Sequence, residues 1–262
     1  MNIELDFKKT VEENAAFYFE KAKKSKRKIA GAERTYRETL KKIELLKQER
    51  NLELEEKRKV SEKINVKKEW YEKFRWFFSS EGFLCIGGRD ATTNDILIKK
   101  YTEKEDLVFH AAVPGSPFFI IKSEGKTINQ DTIEEAAIAT AVYSKAWQLG
   151  ISYVDVFYIN PEQVSKSPPS GQHMAKGSFM IYGKKNYLRP EMKLSIGIKN
   201  GKIIGGPTKA IKKNSEKYVT IVQGDLKSSD IAKKIKNILG KDINIEDIQK
   251  FLPTGKGKIV KE

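Results

Sequence analysis

The sequence predicts an α+β protein made of three parts: a long N-terminal helical arm, a mixed α/β domain and a basic C-terminal appendage. Residues 8–70 contain no proline and one glycine, and the helix-favouring residues Lys, Arg, Glu and Gln dominate them. After residue 70, short apolar runs alternate with helical patterns and turn residues. After residue 206 the chain becomes rich in lysine and poor in aromatic side chains. We therefore predict an arm over 1–69, a domain over 70–206 and an appendage over 207–262.

The distribution of charge separates the middle of the chain from its end. The formal net charge is +15. Residues 71–160 contain 9 Lys/Arg and 12 Asp/Glu, a net of −3, whereas residues 161–262 contain 21 and 9, a net of +12. A surplus of this size favours polyanionic partners, either nucleic acid or an anionic membrane surface. The alternative is that the additional lysines only keep the protein in solution.

The composition also argues against several kinds of site. Cys85 is the only cysteine, which excludes an internal disulfide and a structural zinc site built from several thiolates. The two histidines, His110 and His173, lie far apart in sequence, and no P-loop, nucleophile elbow or HExxH motif is present. We therefore expect no cofactor, no metal and no catalytic residue. Because no apolar run approaches the roughly 20 residues of a membrane span, we expect a cytoplasmic protein without a membrane partner.

Apolar residues recur along the arm at helical spacing. They lie seven positions apart at Ala22, Ile29, Tyr36 and Ile43, and a second seam passes through Ala32, Leu40 and Leu46. A repeat of seven is typical of a coiled coil. Two arrangements stay open, a single long helix and a hairpin that turns near 48–51. The stripe could face a protein partner, a second copy of the chain or the chain's own domain.

Two helices and one hairpin have specific signals beyond residue 70. The aromatic segment 70–78 places Trp70, Phe74, Phe77 and Phe78 on one helical face, which predicts a helix that packs into the domain. A longer helix is predicted over 132–149, capped by Asp131 or Thr132 and ended by Gly150.

The dipeptide Asn200-Gly201 predicts a two-residue hairpin. Asparagine and glycine both allow the left-handed backbone that such turns need. The remaining predicted elements are strands at 83–86, 107–111, 118–122, 154–159, 179–182, 192–199, 202–204 and 218–222, helices at 92–101, 229–239 and 245–251, a loop at 166–177 and a basic loop at 252–258.

The first candidate site is the string Gly87-Gly88-Arg89-Asp90, followed by Asn94. Paired glycines after a strand allow a tight turn and the close approach of a ligand. The guanidinium of Arg89 can bind a phosphate or a carboxylate through two parallel hydrogen bonds. The alternative is a structural turn in which Arg89 pairs with Asp90 or caps a helix.

The second candidate is His110, which ends a predicted strand beside the turn Pro114-Gly115-Ser116. A catalytic histidine needs a nucleophile or a carboxylate partner, and nothing in the sequence fixes Asp106 or Ser116 beside it. We therefore interpret His110 as a hydrogen-bonded structural or ligand-contacting residue. A metal-dependent nuclease that uses His110, Asp106 and Asp90 is the less favoured alternative.

Two further candidates are cationic. The long loop over 163–179 is polar and carries Lys166 and Lys176, a composition that suits phosphate contacts, although a solvated connector would look similar. The segment over 180–190 interleaves aromatic and cationic side chains, which suits base stacking together with charge neutralisation. An ordinary strand with a basic turn is equally compatible. The residues concerned are Tyr182, Lys184, Lys185, Tyr187 and Arg189.

Several of these motifs, in one order, resemble the RNA-binding domain of the NFACT family. The resemblance runs through Trp70-Tyr71-Glu72-Lys73-Phe74-Arg75-Trp76-Phe77, Gly87-Gly88-Arg89-Asp90 and Asp106-Leu107-Val108-Phe109-His110-Ala111. It continues through Val164-Ser165-Lys166-Ser167-Pro168-Pro169-Ser170-Gly171 and Lys176-Gly177-Ser178-Phe179-Met180-Ile181-Tyr182-Gly183-Lys184-Lys185-Asn186-Tyr187-Leu188. Residues 13–28 resemble the start of the family's middle coiled coil.

The resemblance implies a factor of ribosome-associated quality control. Family members bind the large ribosomal subunit when a nascent chain remains attached to tRNA, and full-length members recruit charged tRNA and add a template-free tail. The family's N-terminal domain and a helix-hairpin-helix segment have no counterpart in this sequence, so we expect binding to ribosomal RNA and tRNA and not tailing. Protein interaction or adhesion through the coiled coil, including a homodimer, is the alternative function.

Overall fold

The computed structural model describes residues 3–62, 69–166, 175–240 and 243–260. These residues belong to two compact units, which divide between residues 67 and 68. Both helices and antiparallel sheets are present, as the predicted fold class requires. Among the described residues, no helix is long and apolar enough to cross a membrane.

The first unit contains one helix, α1, which spans Val11–Glu62 and has 52 residues. Its start is stabilised by a capping box, in which Glu13 N–H donates to Thr10 Oγ1 and Thr10 N–H donates to the Glu13 carboxylate. Asn14 holds the preceding turn, since its side chain bonds the backbone of Asp6 and Thr10. The helix continues through 48–51 without a turn, so the hairpin alternative is wrong.

The second unit contains the remaining elements, numbered here in chain order. The helices are α2 Ala91–Lys100, α3 Gln130–Val142, α4 Lys145–Gln148, α5 Thr208–Asn214, α6 Ser228–Leu239 and α7 Ile245–Gln249. The strands are β1 Arg75–Phe78, β2 Leu84–Gly87, β3 Leu107–Ala111, β4 Phe119–Ile121, β5 Val156–Ile159, β6 Val164–Ser165, β7 Met180–Ile181, β8 Asn186–Leu188, β9 Leu194–Lys199, β10 Lys202–Gly206, β11 Lys217–Lys227 and β12 Lys256–Val260.

The larger sheet has the strand order β1-β2-β4-β3-β5-β8. Side chains alternate between its faces, so neighbouring residues of β3 enter different clusters. Val108 packs with Leu97 of α2 on one face, whereas Phe109 packs with the alanines of α3 on the other. Each face therefore has a helix to cover it.

The smaller sheet has the order β10-β9-β11-β12 and joins strands from both sides of residue 206. The predicted hairpin is confirmed: Asn200 and Gly201 have φ values of +50° and +74°, and Lys199 pairs with Lys202. Ile231 and Ile235 of α6 belong to the same core as α3 and the larger sheet. The lysine-rich C-terminal segment thus contributes to the main core.

Three predicted elements differ from the structure. The segment 70–78 is a short 3-10 turn, Trp70–Lys73, followed by the strand β1, because the backbone of 75–78 pairs with β2. The predicted helix over 132–149 is two helices, α3 and α4, because Ser144 is extended and its hydroxyl caps Ala146 N–H. Residues 256–258 of the predicted basic loop lie in β12, which pairs with β11.

Candidate functional site

A cleft of about 530 Å³ lies where several strands end together. β2 and β3 both run antiparallel to β4, so their carboxyl ends reach the same end of the sheet. In the β1–β2 pair, Arg75 lies opposite Gly87, the last residue of β2. The sheet therefore brings Arg75, the 88–90 turn and the end of β3 to one opening.

The Gly88–Asp90 turn forms one wall and starts α2. Asp90 caps the helix, since its carboxylate accepts from Thr93 N–H at 2.8 Å. A Cβ at Gly88 would overlap the amide oxygen of Asn94. This oxygen accepts a hydrogen bond from Phe118 N–H at 3.2 Å. Asn94 is 8% exposed and ties α2 to the start of β4. The structural turn that the sequence left as the alternative is present, but Asp90 and not Arg89 caps the helix.

Arg89 does not pair with Asp90. One terminal nitrogen of its guanidinium donates to the carbonyl of Phe74 at 3.0 Å, and its backbone N–H donates to Thr93 Oγ1. No described carboxylate lies within ion-pair distance, 4.0 Å, of this guanidinium. Its remaining donors are therefore available to a ligand in the cleft.

Arg75 also lines the cleft, although the sequence did not point to it as a site residue. Its guanidinium lies over the ring of Tyr143, with Cζ 4.1 Å from the ring centroid. Burial lowers the pKa of Arg75, and the positive charge of Arg89 lowers it further, although Tyr143 acts in the opposite direction. Among the described residues no carboxylate pairs with Arg75 either. In the sequence, Arg75 is marked only as a single arginine within an aromatic string. The helix predicted over 70–78 would not have placed its side chain at the end of a sheet.

Lys176 reaches the cleft because the loop before β7 lies close against α2. Gly177 has a φ of +77°, and a Cβ there would lie 2.6 Å from the Cα of Ala91. Gly177 N–H donates to Asp95 of α2 at 3.3 Å, and Lys166 bonds the same carboxylate. The hydrogen bond from Lys166 is the main cause that lowers the pKa of Asp95 to about 2. Residues 167–174 of the predicted loop, including His173, lie outside the described residues.

His110 also lines the cleft, with its ring centroid 4.5 Å from that of Phe118. Burial lowers the pKa of His110 to about 4, and the nearby charge of Lys185 acts in the same direction. The imidazole is therefore neutral near pH 7, with one nitrogen that donates and one that accepts.

The lining of the cleft has a positive formal charge. Arg75, Arg89 and Lys176 contribute three positive charges and Asp90 one negative charge, a net of +2. Hydrogen bonds from Thr93 lower the pKa of Asp90, so this carboxylate is ionised and occupied as a helix cap. Two arginines without a carboxylate partner in the described part of the chain form a site that favours an anion.

The basic segment, defined here as residues 182–187, connects β7 to β8 and directly follows Ile181, which lines this cleft. Tyr182 and Tyr187 are 48% and 60% exposed, and β8 is an edge strand. Lys184 is exposed, and the amine of Lys185 lies 4.7 Å from the ring centroid of Phe157. Arg189 follows β8, and Asp155 binds its guanidinium through two bonds, of 2.8 and 3.3 Å.

Residues 73–183 match the family model described as the NFACT protein RNA binding domain. The chain belongs to the NFACT family. The matched range contains Arg75, Arg89, His110 and Lys176, so the whole described lining of the cleft falls within the NFACT domain.

Curated relatives of this NFACT chain carry ribosome quality control names. It is 41% identical over 219 residues to the "Archaeal Rqc2 homolog aRqcH" of Methanocaldococcus jannaschii, covering 80% of this chain and 32% of that protein. It is 36% identical over 176 residues to the "Ribosome quality control complex subunit NEMF homolog" of Drosophila melanogaster, covering 66% and 16%. The mouse "Ribosome quality control complex subunit NEMF" is 37% identical over 171 residues, covering 64% and 15%. The chain thus spans about a third of the archaeal relative.

Asp106, one of the residues of the nuclease alternative, is buried and bonded to neighbouring groups of the NFACT domain. It is 1% exposed and bonds Lys122 Nζ at 2.6 Å and the backbone N–H groups of Glu103 and Ser123. Among the described residues, no group of three or more His, Cys, Asp or Glu side chains could hold a metal ion.

Proposed function

We propose that this chain binds RNA through the cleft and the basic segment, as part of a ribosome quality control factor. The observation that carries the proposal is the pair of arginines, Arg75 and Arg89, at the cleft without a carboxylate partner among the described residues. The half-buried guanidinium of Arg75 has lost part of its hydration, and an anion in the cleft would offset that loss. Phosphate fits the planar guanidinium through two parallel hydrogen bonds.

The surroundings of the cleft favour a polyanion over a single small anion. Lys184 and Lys185 extend the positive charge beyond the opening, and Tyr182 and Tyr187 expose aromatic faces next to them. Aromatic rings interleaved with cations suit a nucleic acid strand, which offers bases and phosphates in alternation. Arg189 is a weaker candidate, because Asp155 already neutralises its guanidinium.

The family and the names of the relatives point to the ribosome as the source of the RNA. We propose the large ribosomal subunit and tRNA as partners, with the chain acting on ribosomes by binding and not by catalysis. Asp106 and Asp90 support this view, since each carboxylate is already occupied by hydrogen bonds within the fold. Activities that need the remainder of the longer relatives are not part of this proposal.

Co-sedimentation of the chain with purified ribosomal subunits, over a salt series and with free tRNA as competitor, tests the proposal. We expect selective binding to the large subunit that weakens steeply between about 50 and 200 mM salt, as counterions return to the RNA. Lys176→Gln should weaken binding. Lys233→Gln, the same change at an exposed lysine of α6, is the matched control and should not. Equal binding by both variants, or no binding at the lowest salt, would contradict the proposal.

The exposed apolar stripe of α1 favours a second role, protein interaction through the arm. Ile29, Tyr36 and Ile43 are 59%, 65% and 43% exposed. Their spacing of seven residues suits another helix, either in a protein partner or in a second copy. Light scattering of the intact chain and of an Ile29→Glu/Ile43→Glu variant distinguishes these partners: a dimer that dissociates in the variant identifies the second copy.

A further inference from the structure

The lining of the cleft combines two kinds of chemistry. Arg75, Arg89 and Lys176 are cationic, whereas Phe118 and Phe179 are aromatic. The Phe179 ring is half-buried and meets Phe118 edge-on at 5.4 Å between centroids. A ligand that contacts both the cationic and the aromatic side chains carries an anionic group at one end and a flat apolar group at the other.

The size of the cleft limits how much of a polymer can enter. Its volume of about 530 Å³ lies within the roughly 300–1,000 Å³ usual for pockets that enclose a small molecule. One nucleotide fits such a space, whereas a double helix could only touch the rim. A base inside a duplex has both faces covered by its neighbours, so it cannot reach an aromatic wall unless it is unpaired.

Polar atoms next to the aromatic wall suit the edge of a base. The amide oxygen of Asn94 is occupied by Phe118 N–H, but its nitrogen has no bond to any described residue. The neutral imidazole of His110 has one acceptor nitrogen, and its donor lies near the backbone of Ala111 and Ser116. Base edges present both donors and acceptors, which these groups can match.

We infer that the cleft holds one unpaired nucleotide of a single-stranded RNA segment, with its phosphate on Arg75 and Arg89 and its base against Phe179. The inference rests on the proposed RNA binding and specifies which part of the RNA the cleft recognises. Phosphate contacts position the strand, and the aromatic contact selects for an unpaired base.

Fluorescence anisotropy with the full chain tests this inference. The probe is a labelled 12-nucleotide RNA, measured as a single strand and annealed to its complement. We expect the single strand to bind about tenfold more tightly than the duplex, since a stacked base contributes roughly a factor of ten. Phe179→Leu keeps an apolar side chain against Phe118 but removes the ring, and it should abolish most of that preference. Phe19→Leu, at an exposed phenylalanine of α1, is the matched control.

Competition against the labelled strand identifies the ligand chemistry. Adenosine 5′-monophosphate should displace the strand at a concentration about tenfold lower than inorganic phosphate or adenosine alone, because only the nucleotide fills both parts. Arg75→Lys should remove the advantage over adenosine, since a lysine cannot provide the planar pair of donors.

Three results would overturn the inference. Equal affinity for strand and duplex, with Phe179→Leu weakening neither, would mean that the chain binds RNA through a general surface. That result would agree with the proposed function and contradict the nucleotide site. Displacement by polyglutamate as readily as by the nucleotide would make the cleft a carboxylate site. If neither form of RNA nor the ribosomal subunit binds at low salt, the proposed function fails together with the inference.

Discussion

The guanidinium of Arg75 lies 4.1 Å above the ring of Tyr143, and the hydroxyl of Tyr143 donates to the carbonyl of Phe251 at 2.8 Å. Through these contacts, Tyr143, which directly follows α3, connects β1 to the C-terminal segment. The orientation of a cationic side chain at the cleft therefore depends on residues far along the sequence. Trp147 adds a second link, since its indole N–H donates to Lys256 O at 3.0 Å.

Changes at Tyr143 should separate stability from ligand binding. Tyr143→Phe keeps the ring under Arg75 and removes the hydroxyl that bonds Phe251, and we expect the free energy of unfolding to fall by about 1 kcal/mol. Tyr143→Leu also removes the ring under Arg75, an interaction of about 0.5–2 kcal/mol, so RNA affinity should fall several-fold. Urea unfolding and anisotropy measure the two effects. Full RNA affinity in a folded Tyr143→Leu protein would show that the ring does not orient the guanidinium.

Gly88 should not tolerate a side chain. An added Cβ would overlap the Asn94 amide oxygen and force α2 away from β4, so Gly88→Ala should destabilise the second unit by about 1–3 kcal/mol. Gly31→Ala is the informative comparison, because Gly31 has open space around it within α1 and alanine should stabilise that helix by up to about 1 kcal/mol. Thermal unfolding followed by circular dichroism measures both. An unchanged transition for Gly88→Ala would argue that the turn can rearrange.

Reversing charge on the basic segment should weaken RNA binding without unfolding the chain. Lys184→Glu/Lys185→Glu reverses two charges directly before the edge strand β8. The slope of log affinity against log salt should become shallower by about 0.7–0.9 for each phosphate that the protein no longer neutralises. The double change Lys233→Glu/Lys234→Glu on the exposed side of α6 alters the net charge equally and serves as control. If both double variants bind RNA equally weakly, the net charge of the chain and not the basic segment determines binding.

His110 should make the stability of the second unit depend on pH. Its pKa is lowered to about 4 in the folded protein, against roughly 6.5 in an unfolded chain. The folded state therefore binds fewer protons, so the contribution of this group is complete above about pH 6.5 and is lost as the pH falls towards 4. The loss amounts to up to about 3 kcal/mol.

Denaturant unfolding across this range, compared with His110→Gln, isolates the histidine from the carboxylates. The variant should have a flatter dependence between about pH 6.5 and 4. Parallel curves for the two proteins would mean that the imidazole protonates without cost in the folded state.

Local signals allowed part of this fold to be predicted. Asn200-Gly201 forms its hairpin because two successive positive φ angles suit these residue types in any context. The helix over 229–239 also formed, since it has a clear apolar period, and the strand over 107–111 formed at a short apolar run. By contrast, the aromatic spacing of 70–78 fits one helical face, and only pairing with β2 selects the strand.

The residues of the candidate site were also predicted only in part. Arg89, His110, Asn94 and Lys176 were chosen from the sequence, and the structure brings them together at one cleft. Lys166 lies next to it and is bound to Asp95, and Arg189 is bound to Asp155. Arg75 was missed, because its position depends on its register partner Gly87 and on Tyr143, which lies 68 positions further along the chain (143 − 75).

The sequence by itself determined the helical arm, the basic charge of the last third, the glycine turn and the family to which the chain belongs. These depend on composition, short-range periodicity and the order of motifs, all of which can be read along the chain. Only the tertiary structure decided that 75–78 is a strand, that the lysine-rich segment completes the core, and that Arg75 joins Arg89 at the cleft. These depend on which backbone groups pair across the sheet and which side chains meet over long separations, and a linear sequence does not specify either choice locally.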